Sequence, residues 1–215
     1  MPKDTFYRIS REKQSMVLDT AAKEFAANGF HKANVNTIAS NAGISVGSMY
    51  KYFSSKEDLF SETLENGIRM LREDFFDVLD SNVDTFTKIR RIFELPVTFA
   101  REKPYYLNLY LNLLSGGMEY FAEKYARRIE SVGSEFFKKL VKDGIDSGQI
   151  DNDDIDIDVL TFFLDNHLMM FTFSQVSLYL KLRKEEFLGD NSDTDYIIDN
   201  TVEILRKVLG RPSVK

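Results

Sequence analysis

One stretch constrains this chain more than any other: Asn34 to Lys56, where two helices too short to stand alone are joined by a tight turn. Val35, Ile38, Ala39 and Ala42 recur at three- and four-residue spacing and give the first of them an apolar stripe. Asn34 stands where an N-cap belongs, and Gly43 where the chain must leave that helix through a left-handed conformation that glycine adopts cheaply. Ser45 then caps the second helix, with Ile44 and Met49 as the N′ and N4 partners of a hydrophobic staple. At about 100° per residue, Met49, Phe53 and Val46 turn toward a scaffold. Gly47, Ser48 and Lys51 point outward, with Tyr50 and Tyr52 on the flanks.

That outward face is small, hydroxylated, basic and aromatic, which suits the major groove of DNA. Gly47 costs about 1 kcal/mol in a helix relative to alanine, and in return lets the backbone come close to the bases. Ser48 can bond a base edge or a phosphate, Lys51 can reach guanine or phosphate, and the tyrosine hydroxyls can hold phosphates. Ser54 with Glu57 matches the capping box of a following helix, whose free N–H groups and Lys56 would face a phosphate. The candidate DNA contacts are Asn34, Asn36, Thr37, Ser45, Val46, Gly47, Ser48, Tyr50, Lys51, Tyr52 and Lys56. The competing reading is a packed three-helix subdomain with ordinary surface residues.

The run from Val17 to Phe60 carries Ala21-Ala22, Phe25, Asn28-Gly29-Phe30, Ile38-Ala39, Ala42-Gly43-Ile44-Ser45, Gly47-Ser48-Met49-Tyr50, Tyr52-Phe53 and Lys56-Glu57. In these residues it closely resembles the DNA-binding domain of the TetR family of bacterial transcriptional regulators. The resemblance implies an all-α fold: an N-terminal three-helix helix-turn-helix domain over residues 1–54 and a helical effector-binding and dimerisation domain over residues 55–215, about nine helices in all. It also implies a homodimer in which the last two helices pair with their copies as a four-helix bundle. Two copies of residues 45–53 would then enter successive major grooves about 34 to 36 Å apart on a roughly palindromic double-stranded operator. A small molecule held in the body would favour a state with a different spacing. The expected function is a repressor released by a small, largely apolar or aromatic ligand. The alternative is a DNA-bound regulator or scaffold that acts through a protein partner and senses no ligand.

Charge agrees with a DNA-binding tip on an acidic body. The net charge is −6, yet residues 1–60 hold eight Lys or Arg against six Asp or Glu, so the excess of acid lies wholly in the remainder. There are no cysteines, which excludes disulfides, thiolate metal sites and a cysteine nucleophile. The start lacks the apolar core of a signal peptide, and no uncharged apolar run of about 18 residues occurs, so a soluble, cytoplasmic protein without membrane contact is expected. With no histidine pair and no glycine-rich phosphate loop after a strand, neither an enzyme nor a cofactor is expected.

Lys3, Arg8, Arg11 and Lys13 precede the first apolar pattern, which begins near Met16 and runs through Val17, Ala21 and Phe25 to a close at Gly29. This basic segment reads as a solvated tail, the alternative being an arm that reaches phosphates or a minor groove. From Ser54 a helix runs to about Leu79, the one covalent route from the body to the reading helix.

The rest reads as helices. Phe86, Ile89, Ile92, Phe93, Val97 and Ala100 mark a helix kinked by Pro96, and Pro104 opens the next at its N1 position. Tyr105 to Leu114 alternates like a strand, but nothing offers a partner strand and a helix apolar nearly all round fits a buried element. Asn108 and Asn112 share a face there, as polar contacts in a cavity or as a solvent-facing stripe. After Gly116-Gly117 a long helix spans Met118 to Asp146. Asp151, Asp153, Asp154, Asp156 and Asp158 lack the glycine and final glutamate of a calcium loop and read as structural, with no metal. Residues 155–184 are the most apolar of the chain, with Asp165 and His167 in their midst, and a last amphipathic helix covers 195–209. Candidate ligand contacts are Phe93, Tyr106, Tyr110, His167 and Met170. His167 also reads as a satisfied core residue, since His31 is the sole other histidine.

Overall fold

The structure is a computed structural model and describes residues 2–151 and 156–210. Among these residues there are eleven α-helices and no strand: α1 Asp4–Tyr7, α2 Arg11–Lys32, α3 Val35–Asn41, α4 Val46–Tyr52, α5 Lys56–Asp80, α6 Thr85–Glu102, α7 Pro104–Leu113, α8 Glu119–Asp146, α9 Ile157–Ser174, α10 Leu178–Leu188 and α11 Thr194–Leu209. A 3₁₀ turn, Gly189–Asn191, separates the last two, and an isolated antiparallel bridge pairs Ile150 with Gly210. The all-α architecture anticipated from the sequence is therefore present.

The two helices beyond the expected nine have physical causes. Ahead of α2, the segment read as a tail forms α1, because Phe6 is wholly buried there. Within the apolar stretch 155–184, Ser177 caps a new helix by accepting from the Leu180 N–H, which divides that stretch into α9 and α10. The strand-like alternation of Tyr105 to Leu114 resolves as helix α7, with Pro104 in its first turn. Of the acidic cluster, Asp153 and Asp154 lie outside the described residues, and Asp156 caps α9 through the Val159 N–H.

The chain forms two compact units. One takes the described residues up to Met70 with Lys103–Ala126; the other takes Leu71–Glu102 with the described residues from Arg127 onward. The core of the first is aromatic. Phe60 lies 4.8 Å from Phe25 and 4.5 Å from Phe121, and Phe30 lies 4.8 Å from Phe121, each pair tilted toward edge-to-face. Such pairs contribute about 0.5–1.5 kcal/mol each beyond their buried area. Asn112, half-buried, donates to the Ala26 carbonyl at 3.1 Å, so this side chain ties α7 to α2. In the second unit, Phe136 stacks edge-on to Phe75 and Phe137, and Phe93 meets Phe171 at 5.4 Å. Gly133 of α8 gives Asp165 of α9 its place, because a side chain at 133 would collide with the Asp165 carboxylate.

Candidate nucleic-acid interface

The reading face is built from caps before it is built from side chains that could touch DNA. The Asn34 carboxamide accepts from the Asn36 N–H at 2.8 Å, and the Asn34 N–H donates to Glu24 Oε1 at 3.0 Å, which sets the start of α3 against α2. Gly43 leaves α3 at φ +63 with open space around it, so glycine is required by the backbone and not by crowding. Ser45 Oγ accepts from the Ser48 N–H at 3.0 Å and lies 2.9 Å from Ser48 Oγ. Met49 and Phe53 are each 1% exposed, which fixes the rotation of α4.

That rotation leaves Gly47 and Lys51 exposed, Ser48 half-buried and Tyr50 49% exposed. Val46 does not face the scaffold as its helical angle predicts, for it is 39% exposed. Helical side chains lean back over the preceding turn, and the first residue of α4 has none to lean on. Asn36 and Thr37 are exposed on α3, beside the Asn34 cap. Tyr52 is half-buried, its ring 5.8 Å from that of Phe6.

Two expected details shift. The cap of α5 is one residue later than Ser54: Ser55 Oγ accepts from the Asp58 N–H at 3.2 Å, while the Ser54 N–H donates to Asp58 Oδ2. Asp58 thus reaches back to the N–H ahead of the cap residue, one position beyond the partner a capping box would give it. Lys56 is occupied internally, its Nζ 3.0 Å from the His31 carbonyl and 3.3 Å from that of Ala33.

The basic segment ahead of α2 is not a solvated tail. The Lys3 N–H donates to the Tyr52 carbonyl at 2.8 Å, Lys3 Nζ to that of Tyr50 at 2.9 Å, and Thr5 Oγ1 to that of Lys51. Hydropathy alone concealed this, because in the first ten residues the apolar side chains Phe6, Tyr7 and Ile9 are set among three charged ones, Lys3, Asp4 and Arg8.

The model of the family described as "Bacterial regulatory proteins, tetR family" matches residues 17–63. The helix-turn-helix of this chain belongs to the TetR family. Two relatives match part of the chain. The fatty acid metabolism regulator protein of Bacillus subtilis (strain 168) is 38% identical over 68 residues, 30% of this chain and 35% of that protein. The transcriptional repressor KstR2 of Mycobacterium tuberculosis is 32% identical over 81 residues, 38% of this chain and 40% of that protein. The matched part thus spans well under half the length of these relatives. Likeness in fold extends further. A TetR-family regulator from Chloroflexus aurantiacus is 25% identical with a TM-score of 0.64, covering 99% of this chain and 100% of that one. FadR of Bacillus subtilis, solved in complex with stearoyl-CoA, is 19% identical with a TM-score of 0.63 over 89% and 96% of the two chains, a likeness of fold alone.

The five candidate ligand residues fall in two groups. Phe93 and His167 come together in the second unit, their rings 5.4 Å apart, and His167 Nε2 is 3.4 Å from Thr201 Oγ1. His167 is exposed and so is not the satisfied core residue that its apolar helix suggested, though the partial desolvation of its ring lowers its pKa. Met170 of the same helix is 44% exposed. Tyr106 and Tyr110 belong to α7 in the first unit. Tyr106 is buried and its hydroxyl accepts from Asn66 Nδ2 at 2.8 Å, while burial, reinforced by Asp19, pushes its pKa up. Among the described residues no group of three or more His, Cys, Asp or Glu is placed to hold a metal, and no helix is long and apolar enough to cross a membrane.

Proposed function

We propose that the chain is a sequence-specific DNA-binding transcriptional repressor, acting as a homodimer on a roughly palindromic operator and released by a small, largely apolar or aromatic ligand. The observation that carries the DNA reading is the α4 face: Gly47, Tyr50 and Lys51 stand exposed on a helix whose Met49 and Phe53 anchors are buried. Residues 1–54 then serve as the DNA-binding domain and residues 55–215 as the effector-binding and dimerisation domain. In this reading Asn34, Asn36 and Thr37 flank the groove, and Ser45, Val46, Gly47, Ser48, Tyr50, Lys51 and Tyr52 line it.

The dimer reading rests on apolar surface. Val159, Phe162 and Phe163 of α9 are 60–68% exposed, as are Ile204 and Val208 of α11 at 60% and 68%. Large side chains this exposed on two helices match a surface that a second copy covers. The helices in question are α9 and α11, with α10 between them in the chain.

The ligand class is supported by the apolar neighbourhood of Phe93 and His167. The stearoyl-CoA bound by the FadR fold neighbour makes long-chain acyl thioesters the first class to test. The experiment is selection of a duplex from random-sequence DNA by the full-length chain, followed by titration of the complex with stearoyl-CoA and with aromatic and steroid ligands. Selection of a two-fold symmetric site and its release by one ligand class support the reading. Selection of no site overturns it; a site that no ligand releases while a protein partner is captured favours the scaffold instead.

A further inference from the structure

The C-terminal end of α4 carries a problem that its own sequence does not solve. A helix of seven residues is marginal by itself, and the last carbonyls of any helix lack partners inside it. In α4 the carbonyls concerned belong to Tyr50, Lys51 and Tyr52, the residues proposed to face DNA. All three are satisfied by one short segment far away in the chain: Lys3 Nζ takes Tyr50, Thr5 Oγ1 takes Lys51, and the Lys3 N–H takes Tyr52. The Lys3 ammonium also sits at the negative end of the helix dipole, where a cation is stabilising.

The segment is held in place from both sides. Phe6 is 0% exposed, with its ring 4.8 Å from Phe53 and 5.8 Å from Tyr52. Next to it, the Tyr7 hydroxyl donates to Glu62 Oε2 at 3.4 Å, and Glu62 is itself 5% exposed and paired to Arg69 at 3.0 Å. The same few residues therefore grip the end of α4 and a buried carboxylate of α5.

We infer that Lys3–Tyr7 is the C-terminal cap of the reading helix and positions Tyr50, Lys51 and Tyr52 for DNA without contacting DNA itself. Lys3 and Thr5 are positioning residues, and Phe6 is the anchor that delivers them. The positioning of DNA contacts rests on the function proposed above, whereas the capping does not. Affinity follows from the fraction of molecules whose last α4 turn is formed, because the apparent dissociation constant scales inversely with that fraction.

The test uses the full-length chain carrying Thr5→Val, Thr5→Ser or Lys3→Ala, with the duplex selected by the wild-type protein as probe. Thr5→Val is expected to weaken binding about fivefold, as follows if the last turn is formed in about one molecule in five, and Thr5→Ser to restore it. Lys3→Ala is expected to weaken binding with no change in the slope of log K against log salt. In the DNA-free protein, both Thr5→Val and Lys3→Ala should speed amide exchange at Tyr50–Phe53 while leaving α2 and α5 unchanged. A fall of about 0.9 in the salt slope for Lys3→Ala would mean that Lys3 meets a phosphate, and overturns the inference. Unchanged exchange at Tyr50–Phe53 in both variants overturns it as well. If the wild-type chain selects no duplex, the DNA reading and the positioning of contacts fall together, and faster exchange in the variants still upholds the cap. Phe6→Ala is read by exchange alone, since loss of a buried ring can loosen the whole domain.

Discussion

The ammonium of Lys56 lies 3.0 Å from the carbonyl oxygen of His31. It also sits 4.8 Å over the centre of the Phe30 ring, so the first residue of α5 fastens the end of α2 through charge, hydrogen bond and π-face together. Lys56→Ala is expected to cost about 1–2 kcal/mol of stability, a charge-assisted hydrogen bond being lost from a partly exposed site. Thermal denaturation reads this directly. If the ammonium stays on His31 in the complex, the salt slope of DNA binding is unchanged; a shallower slope at unaltered stability would return Lys56 to the phosphates.

Lys51→Ala and Tyr50→Ala act in the opposite manner. Both side chains are exposed and α4 is anchored by others, so the melting temperature should hold while affinity for the selected duplex falls by about 1–3 kcal/mol each. Unaltered affinity with an intact fold removes them from the interface.

Gly43→Ala tests the turn. Its φ of +63 with no atom within 4 Å makes the penalty purely one of backbone conformation, about 1–2 kcal/mol. Both stability and duplex affinity should drop, since the entry into α4 depends on this turn, and equal stability in a denaturant titration would refute the conformational account.

Asp165 sets a pH dependence. Burial, with Glu130 adding repulsion, pushes its pKa up to about 6 from the usual carboxylate value. The folded state therefore holds a proton that the unfolded chain has already released, and stability falls as pH rises from near 4 through 6. Asp165→Asn should then raise the melting temperature at pH 8 and leave it nearly unchanged at pH 4. An equal gain at both values would point to packing over Gly133 as the cause.

The proposed dimer surface is open to a solution test. Phe163→Glu or Val208→Glu places a charge in the exposed apolar face and should convert a dimer into a monomer in sedimentation velocity. A wild-type chain that is monomeric at micromolar concentration removes the symmetric operator with it.

The helix-turn-helix was readable because its signals are local. Asn34, Gly43, Ser45 and the Ile44–Met49 staple each act within four residues, and the structure realises both caps and the left-handed turn. The bounds of α3, α4 and α8 were readable for the same reason, whereas α2 continues past Gly29, its expected close, to Lys32. What escaped depended on long-range partners. Nothing near Lys3 announces that its partner is Tyr50, and nothing near Lys56 that its partner is His31. Val46 escaped through a helix-end effect, and α10 through a serine cap inside an apolar run. The candidate ligand residues were least legible, because an aromatic on a buried helix face looks the same whether it packs against protein or lines a cavity.

The cap on α4 makes the reading head discontinuous in sequence: residues 34–56 hold its chemistry, but residues 3–7 complete its last turn. A chimera that moves only the helix-turn-helix into another scaffold would carry the code without its closure. Residues 3–7 would have to travel with it, and a tag or leader fused close to Lys3 would press on the part of the molecule proposed to meet the operator.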